Sequence, residues 1–352
     1  GIESLTKLFQ KNPINIVTVN LSNNDIGDKD VSLLCKVFKI TNSLRELNLA
    51  KNAITGHCLK YMANWLCVNQ SLKTLDLSSN PLESQLNFLG DIVMKCSSLE
   101  TVLLGGMTFN LKLLVQPLLV SRVKWLDLSR SEPDEETIVA LASYVGGNEW
   151  LETLEFGSNP ITDMVAPLAQ AFESNNSLVR LGLQKCNLND RNIIQIVQAL
   201  TGHDTLEVLD LAFNETYDGS IGPCLHQLLI STPKFREIDI SGLEIVIDGM
   251  VEVAKGIMAN QGMTKITCQG GYDSNDHEDM LFRSLYGHPN VSTIDLSNRE
   301  FTTETLMGLM KLIESNEAIN ELIFKDCTFE DTELVQRLFE IPGLYMIDLN
   351  GN

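Results

Sequence analysis

The sequence offers few side chains at spacings suited to covalent chemistry. His57, His203, His226, His277 and His288 stand far apart, without the paired spacing that metal binding or acid–base catalysis requires. Asp273-Ser-Asn-Asp-His-Glu-Asp279 has the acidity of a calcium loop. It lacks the Asp-x-Asp-x-Asp-Gly order and the closing glutamate of an EF-hand, and reads as a solvated insertion or helix start. Gly270-Gly271 leads into no phosphate-loop pattern. The eight cysteines, Cys35, Cys58, Cys67, Cys96, Cys186, Cys224, Cys268 and Cys327, include no CxxC pair. They read as reduced structural thiols. No nucleophile sits beside a base in the sequence, so no cofactor, no metal and no enzymatic activity are expected.

What the spacing does assemble is a surface. At one recurring phase stand Asn20, Asn48, Asp76, Leu103, Asp127, Glu155, Gly182, Asp210, Asp239, Thr267, Asp295, Ile323 and Asp348, of which seven are acidic. In parallel strands about 4.8 Å apart these would form a stripe of carboxylates. The stripe has two readings: a track for a basic ligand, or simply the recurring phrase Leu-Asp-Leu-Ser at 75–78, 126–129 and 294–297. Trp125 points the same way two residues before Asp127, with Leu103 on the strand before and Thr153 and Glu155 on the strand after. An outward tryptophan flanked by leucine and carboxylates has the composition of an apolar anchor with a polar rim. The alternative is that the shortened turn, or the loop Ser131-Glu-Pro-Asp-Glu-Glu136, folds over it. The candidate partner-binding residues are therefore Leu103, Trp125, Asp127, Thr153, Glu155, Asp210 and Asp239.

The elements that must position these residues follow from a repeat. Copies such as Leu72-Lys-Thr-Leu75-Asp-Leu77-Ser-Ser-Asn80 and Leu44-Arg-Glu-Leu47-Asn-Leu49-Ala-Lys-Asn52 recur thirteen times. Their second apolar residues are Val19, Leu47, Leu75, Val102, Leu126, Leu154, Leu181, Leu209, Ile238, Ile266, Ile294, Leu322 and Ile347, mostly 27 to 29 residues apart and 24 between Val102 and Leu126. Alternation around Leu75 and Leu77 predicts a strand with those leucines inward. Leu59, Met62 and Leu66 then follow helical spacing, as do Ile193, Ile196 and Leu200, and Leu306, Leu309 and Ile313. Each unit reads as strand, turn, helix and return turn, and must stack on its neighbours to bury its apolar stripe. Asn24, Asn52, Asn80, Asn159 and Asn214 sit three positions after the last strand leucine, where an amide can satisfy turn backbone groups. Cys186, Cys327 and Met107 replace them elsewhere. Polar return turns recur at Cys67–Leu72, Glu173–Leu178 and Gly202–Leu206.

A unit near 28 residues, a full helix per unit and Cys/Asn exchange at the ladder position resemble the ribonuclease-inhibitor-like subclass of leucine-rich repeats. Ile54-Thr-Gly-His-Cys58-Leu59 resembles that subclass's entry into its helix. The resemblance implies an α/β horseshoe solenoid with about 13 parallel strands on the concave face and helices on the convex face. It further implies a non-enzymatic protein–protein interaction module, within a subclass that includes enzyme inhibitors, GTPase-activating proteins, actin regulators, innate-immune sensors and bacterial effectors. A loop arginine contributes to catalysis in its GTPase-activating members, and Arg130 stands in a loop. The resemblance supports that role poorly, and an ion pair to Asp134 or Glu135 is the simpler reading. A spacer or targeting role in a larger protein is the third.

The unbroken repeat reads as one continuous domain over 1–352. Charge and chain ends bound the partners. With 26 basic and 46 acidic residues the net charge is −20, which disfavours nucleic acid and suits a protein partner with a basic surface, or solubility alone. No apolar run is long enough for a membrane span and no leader precedes Gly1, so a cytoplasmic location is expected. The sequence stops at Asp348-Leu-Asn-Gly-Asn352 without a polar cap, which reads as chain continuation or association at that end.

Overall fold

The structure is a computed structural model that describes residues 1–351 apart from 12–14, 40–41, 83–84, 108–110, 218–219 and 270–280. The Gly270-Gly271 pair, His277 and the acidic stretch 273–279 lie outside the described residues. Two compact units are formed: Gly1–Pro160 with Gln170–Leu178, and Ile161–Ala169 with Val179–Asn352.

The first unit carries six three-residue strands, Thr18–Asn20, Glu46–Asn48, Thr74–Asp76, Thr101–Leu103, Trp125–Asp127 and Thr153–Glu155. The second carries seven, Arg180–Gly182, Val208–Asp210, Glu237–Asp239, Lys265–Thr267, Thr293–Asp295, Glu321–Ile323 and Met346–Asp348. All thirteen ruler residues are strand centres. Within each unit successive strands pair in parallel and in unshifted register: Val19 lies beside Leu47, Leu47 beside Leu75 and Leu126 beside Leu154. Leu75, Val102, Leu126, Leu154, Leu181 and Leu209 are fully buried, each contributing about 1.5–3 kcal/mol of transfer free energy. The first and third residues of each strand form the opposite face.

Helices follow the strands as the periodicity requires, at Leu59–Leu66, Asp190–Leu200 and Thr303–Ser315 among others, and the chain opens on Ile2–Lys11. Each unit is a leucine-rich-repeat solenoid. A second, two-stranded parallel pairing joins Glu300–Phe301 to Thr328–Phe329. There Phe301 stacks on Phe329 at 5.3 Å and meets Phe324 edge-on at 5.4 Å.

Two columns of buried polar side chains satisfy the turns. In the strand-side column Asn159, fully buried, donates to the carbonyls of Leu128 (3.0 Å) and Phe156 (2.9 Å) and accepts from the amides of Ser131 (2.7 Å) and Glu132 (3.0 Å). Asn80 and Asn214 do the same in their repeats. Arg299 occupies this position too, its Nε donating to the Cys268 carbonyl at 2.8 Å. The return turns hold the second column. Asn148 accepts from the amides of Trp150 and Leu151, and Asn175 donates to the Val145 carbonyl at 2.7 Å. His203 and His288 take the place of these asparagines. Nδ1 of His288 accepts from Val291 N (3.2 Å), and its Nε2 bonds the Asn260 carbonyl oxygen at 2.9 Å. These two histidines therefore serve the fold rather than chemistry.

Candidate functional site

Strand alternation turns Trp125 and Asp127 to the open sheet face, and register places Thr101 and Thr153 on either side of the indole. The thirteen strand centres point the other way, so nothing in the core competes for this ring. Trp125 is 45% exposed although it is the largest side chain of its column. The loop 131–136 leaves it exposed. Leu103 and Glu155 stand in register on either side of Asp127, and all three are half-buried. The structure thus brings Leu103, Trp125, Asp127, Thr153 and Glu155 onto one face of the first unit.

Asp210 and Asp239 belong to the second unit, where they are register partners. They line a small hollow of about 60 Å³ with Arg180, Glu237, Lys265 and Thr267. The hollow is mixed in charge and too small for more than a side-chain tip.

The acidic stripe has a local cause that its charge does not reveal. Oδ1 of each aspartate accepts the amide two residues ahead: Ser78 on Asp76 (3.0 Å), Ser129 on Asp127 (2.8 Å), Ala212 on Asp210 (3.0 Å) and Ser241 on Asp239 (2.9 Å). Asn20 and Asn48 close the same turn without charge, accepting from Ser22 (3.0 Å) and Ala50 (2.9 Å). This Asx geometry is what the position selects. Neighbouring cations offset part of the remaining charge. Lys73 pairs with Glu100 at 2.9 Å, Lys124 with Glu152 at 2.8 Å, Arg236 with Glu207 and Lys325 with Asp348 at 3.3 Å.

Burial of Asp239, reinforced by the charge of Asp295, holds its carboxyl above the ordinary range despite the opposing hydrogen bonds from Ser241. A folded-state pKa above the unfolded one means this carboxyl favours the fold fully below its unfolded pKa, and the benefit is lost as pH rises through the folded value. Asp239→Asn keeps the turn, as Asn20 and Asn48 show, and removes the desolvated charge. The variant should melt higher than the parent at pH 7, and the gap should close as pH falls toward 3, measured as Tm against pH.

Arg130 is exposed with φ of 56°. It fills a left-handed turn position that Asn23, Lys51, Ser79, Gly106 and Ser158 occupy in the other repeats of the first unit. Among the described residues its guanidinium pairs with no carboxylate, so the ion pair to Asp134 or Glu135 does not form. Asp134 instead caps the helix Glu135–Gly147, accepting from Thr137 N at 2.8 Å, and hydrogen bonding from the Thr137 side chain and then its backbone lowers its pKa.

Two exposed aromatic features went unnoticed in the sequence. Arg122 lies over Trp150 at 5.5 Å and Lys185 over Phe213 at 5.2 Å. Both pairs are 28 residues apart, so the strand ruler extended into the loops would have found them. Phe213 also holds a left-handed φ of 56°, a conformation costly for a bulky side chain.

A family model described as Leucine Rich repeat matches residues 12–35 and 68–85. The chain is 25% identical to human NACHT, LRR and PYD domains-containing protein 12, over 99% of the chain and 32% of that protein. It is 24% identical to mouse ribonuclease inhibitor, over 71% of the chain and 52% of the inhibitor. This is a leucine-rich-repeat protein by fold, similar in sequence to proteins of the ribonuclease-inhibitor-like kind. Another relative of the repeat protein is Rho GTPase-activating protein gacW of Dictyostelium discoideum, 22% identical over 76% of the chain and 28% of that protein. The chain thus spans about a third or less of the first two relatives' lengths. A chain of the yeast Rad7 and Elc1 complex shares the fold at a TM-score of 0.60 and 17% identity, covering 97% of this chain and 86% of its own. No helix among the described residues is long and apolar enough to cross a membrane.

Proposed function

We propose that this leucine-rich-repeat protein is a non-enzymatic interaction module that binds a protein partner on the open strand face of its first unit. The observation that carries the reading is Trp125: a tryptophan 45% exposed at a strand position whose neighbours in register are threonines. The exposed part of the ring stabilises nothing in the fold, whereas covering it with a partner removes apolar surface from water at the centre of a polar rim. Mouse ribonuclease inhibitor and the Rad7 and Elc1 complex carry protein association in their names, which supports the class of partner without specifying it.

A GTPase-activating role has less beneath it. Arg130 occupies a turn position that every repeat of the first unit fills, and the relative that bears that activity in its name overlaps the chain over 28% of its own length.

The test is affinity capture followed by titration of the captured protein against the parent and Trp125→Ala. The variant should lose about 2 kcal/mol of binding, roughly 30-fold in Kd, with an unchanged melting temperature. Equal affinity in the two would remove the strand face of the first unit from the interface.

A further inference from the structure

We propose that Trp125, Asp127, Leu103 and Gly105 form a receptor for an arginine side chain of the partner, an inference that rests on the binding face proposed above. Four observations carry it. Asp127 accepts one hydrogen bond, from Ser129 N at 2.8 Å on Oδ1, and makes no ion pair among the described residues. Nearby cations are committed elsewhere or do not reach it: Lys124 holds Glu152 at 2.8 Å, Arg122 lies over Trp150, and Arg130 projects from the turn unpaired. The Oδ2 oxygen therefore accepts from no donor among the described residues.

Gly105, itself buried, makes room for the carboxylate. The corresponding residue is Ser78 in the preceding repeat and Ser129 in the following one, whereas a Cβ at Gly105 would stand 3.1 Å from Oδ2 and 3.3 Å from Oδ1 of Asp127. The carboxylate leans over bare backbone instead of over a side chain. Trp125, two residues earlier on the same strand, faces the same way and is the most exposed apolar group of this face. Leu103, in register with Asp127, is apolar at a position that holds Asn20, Asn48 and Asp76 in the three strands before it.

These groups match the three parts of one side chain. A guanidinium stacks on an indole and offers parallel N–H donors to a carboxylate. Its aliphatic stem would lie on Leu103. Lysine lacks the plane that stacks, and a neutral side chain leaves Asp127 without a counter-charge.

The test uses the full chain labelled with ¹⁵N at tryptophan, which has three indole N–H signals for Trp65, Trp125 and Trp150. Trp65 is buried and serves as internal reference, and Trp125→Phe assigns the site. Probes are the peptides acetyl-Gly-Arg-Gly-amide, its lysine analogue and its citrulline analogue, citrulline being the uncharged isostere of arginine. The arginine peptide should give a saturable shift of the Trp125 signal alone. The citrulline peptide should bind at least tenfold more weakly, as should the arginine peptide to Asp127→Asn. That variant keeps its Asx turn, because Asn20 and Asn48 already make it, so lost binding there reports charge and not misfolding. Equal shifts from arginine and citrulline, undiminished binding to Asp127→Asn, or lysine binding as tightly as arginine would each overturn the assignment. If peptide binding fails while Trp125→Ala still abolishes partner capture, the interaction face stands and only the arginine receptor falls.

Discussion

Asn159→Ala should cost the first unit about 4 kcal/mol. The side chain is fully buried and makes four hydrogen bonds to backbone groups of two turns. Alanine leaves the amides of Ser131 and Glu132 and the carbonyls of Leu128 and Phe156 without this partner, in a cavity the size of the lost amide. An orphaned group costs about 1–3 kcal/mol where it is buried; the two amides are part-buried, and the carbonyls lose less because an oxygen can accept twice. Asn159→Asp separates donors from acceptors. Its carboxylate still accepts from both amides but faces two carbonyl oxygens with nothing to donate. Its folded-state pKa is therefore raised, so its stability should recover as pH falls through that value and fade as pH rises. Urea unfolding at pH 7 and pH 4 reads both effects. A loss below about 1 kcal/mol in the alanine variant would mean that water replaces the amide, and that the ladder is not what closes these turns.

That ladder marks how far the sequence could be read. The strands were legible because alternation and burial are the same fact: a residue two along from a buried leucine must also be buried, and the ruler positions from Leu47 to Leu322 obey this. The asparagine ladder was legible because an amide both donates and accepts, and its spacing from the strand is constant. Arg299 was not, since a cation at a buried position looks like a break in the pattern, and only the carbonyl of Cys268 beside it shows that the guanidinium plays the amide's part. His203 and His288 escaped for a related reason. They stand six residues before Leu209 and Ile294, as Asn148 and Asn175 stand before Leu154 and Leu181, but only the placed backbone shows an imidazole nitrogen accepting there as the amide oxygens do.

The site divides along the same line. That Trp125 points outward follows from alternation alone. That it stays exposed depends on how the neighbouring turn and loop run, which no spacing encodes. The aspartates mislead in the opposite direction, because composition counts their charges while the fold uses one oxygen of each to close a turn. What distinguishes Asp127 is a residue one repeat earlier, Gly105, whose lack of a side chain acquires meaning only once the two strands lie side by side.

Gly222→Ala should destabilise the second unit by about 2 kcal/mol, although alanine is the better helix former. Gly222 opens the helix Ile221–Ser231, which packs on Ile247–Ala259. A Cβ there would stand 2.3 Å from the carbonyl oxygen of Gly249 and 2.4 Å from its Cα. Both are backbone atoms, so no rotamer change relieves the contact and the helices must separate. Gly256 repeats the close approach two turns along, its added Cβ falling 3.0 Å from the Cα of His226. Separation at one end therefore loosens the whole helix pair. Overpacking of this kind costs about 3 kcal/mol, against roughly 1 kcal/mol gained from helix propensity. Gly308→Ala is the internal control. It lies inside the helix Thr303–Ser315, and its added methyl would meet nothing closer than the Phe282 ring at 3.5 Å. There the propensity gain stands alone, and the variant should be more stable than the parent by up to about 1 kcal/mol. The same substitution at two helical glycines thus has opposite signs, read as urea midpoints and as amide exchange over residues 221–259. Parental stability in Gly222→Ala would mean that the helices have room to part, and that the glycines follow from composition and not from packing.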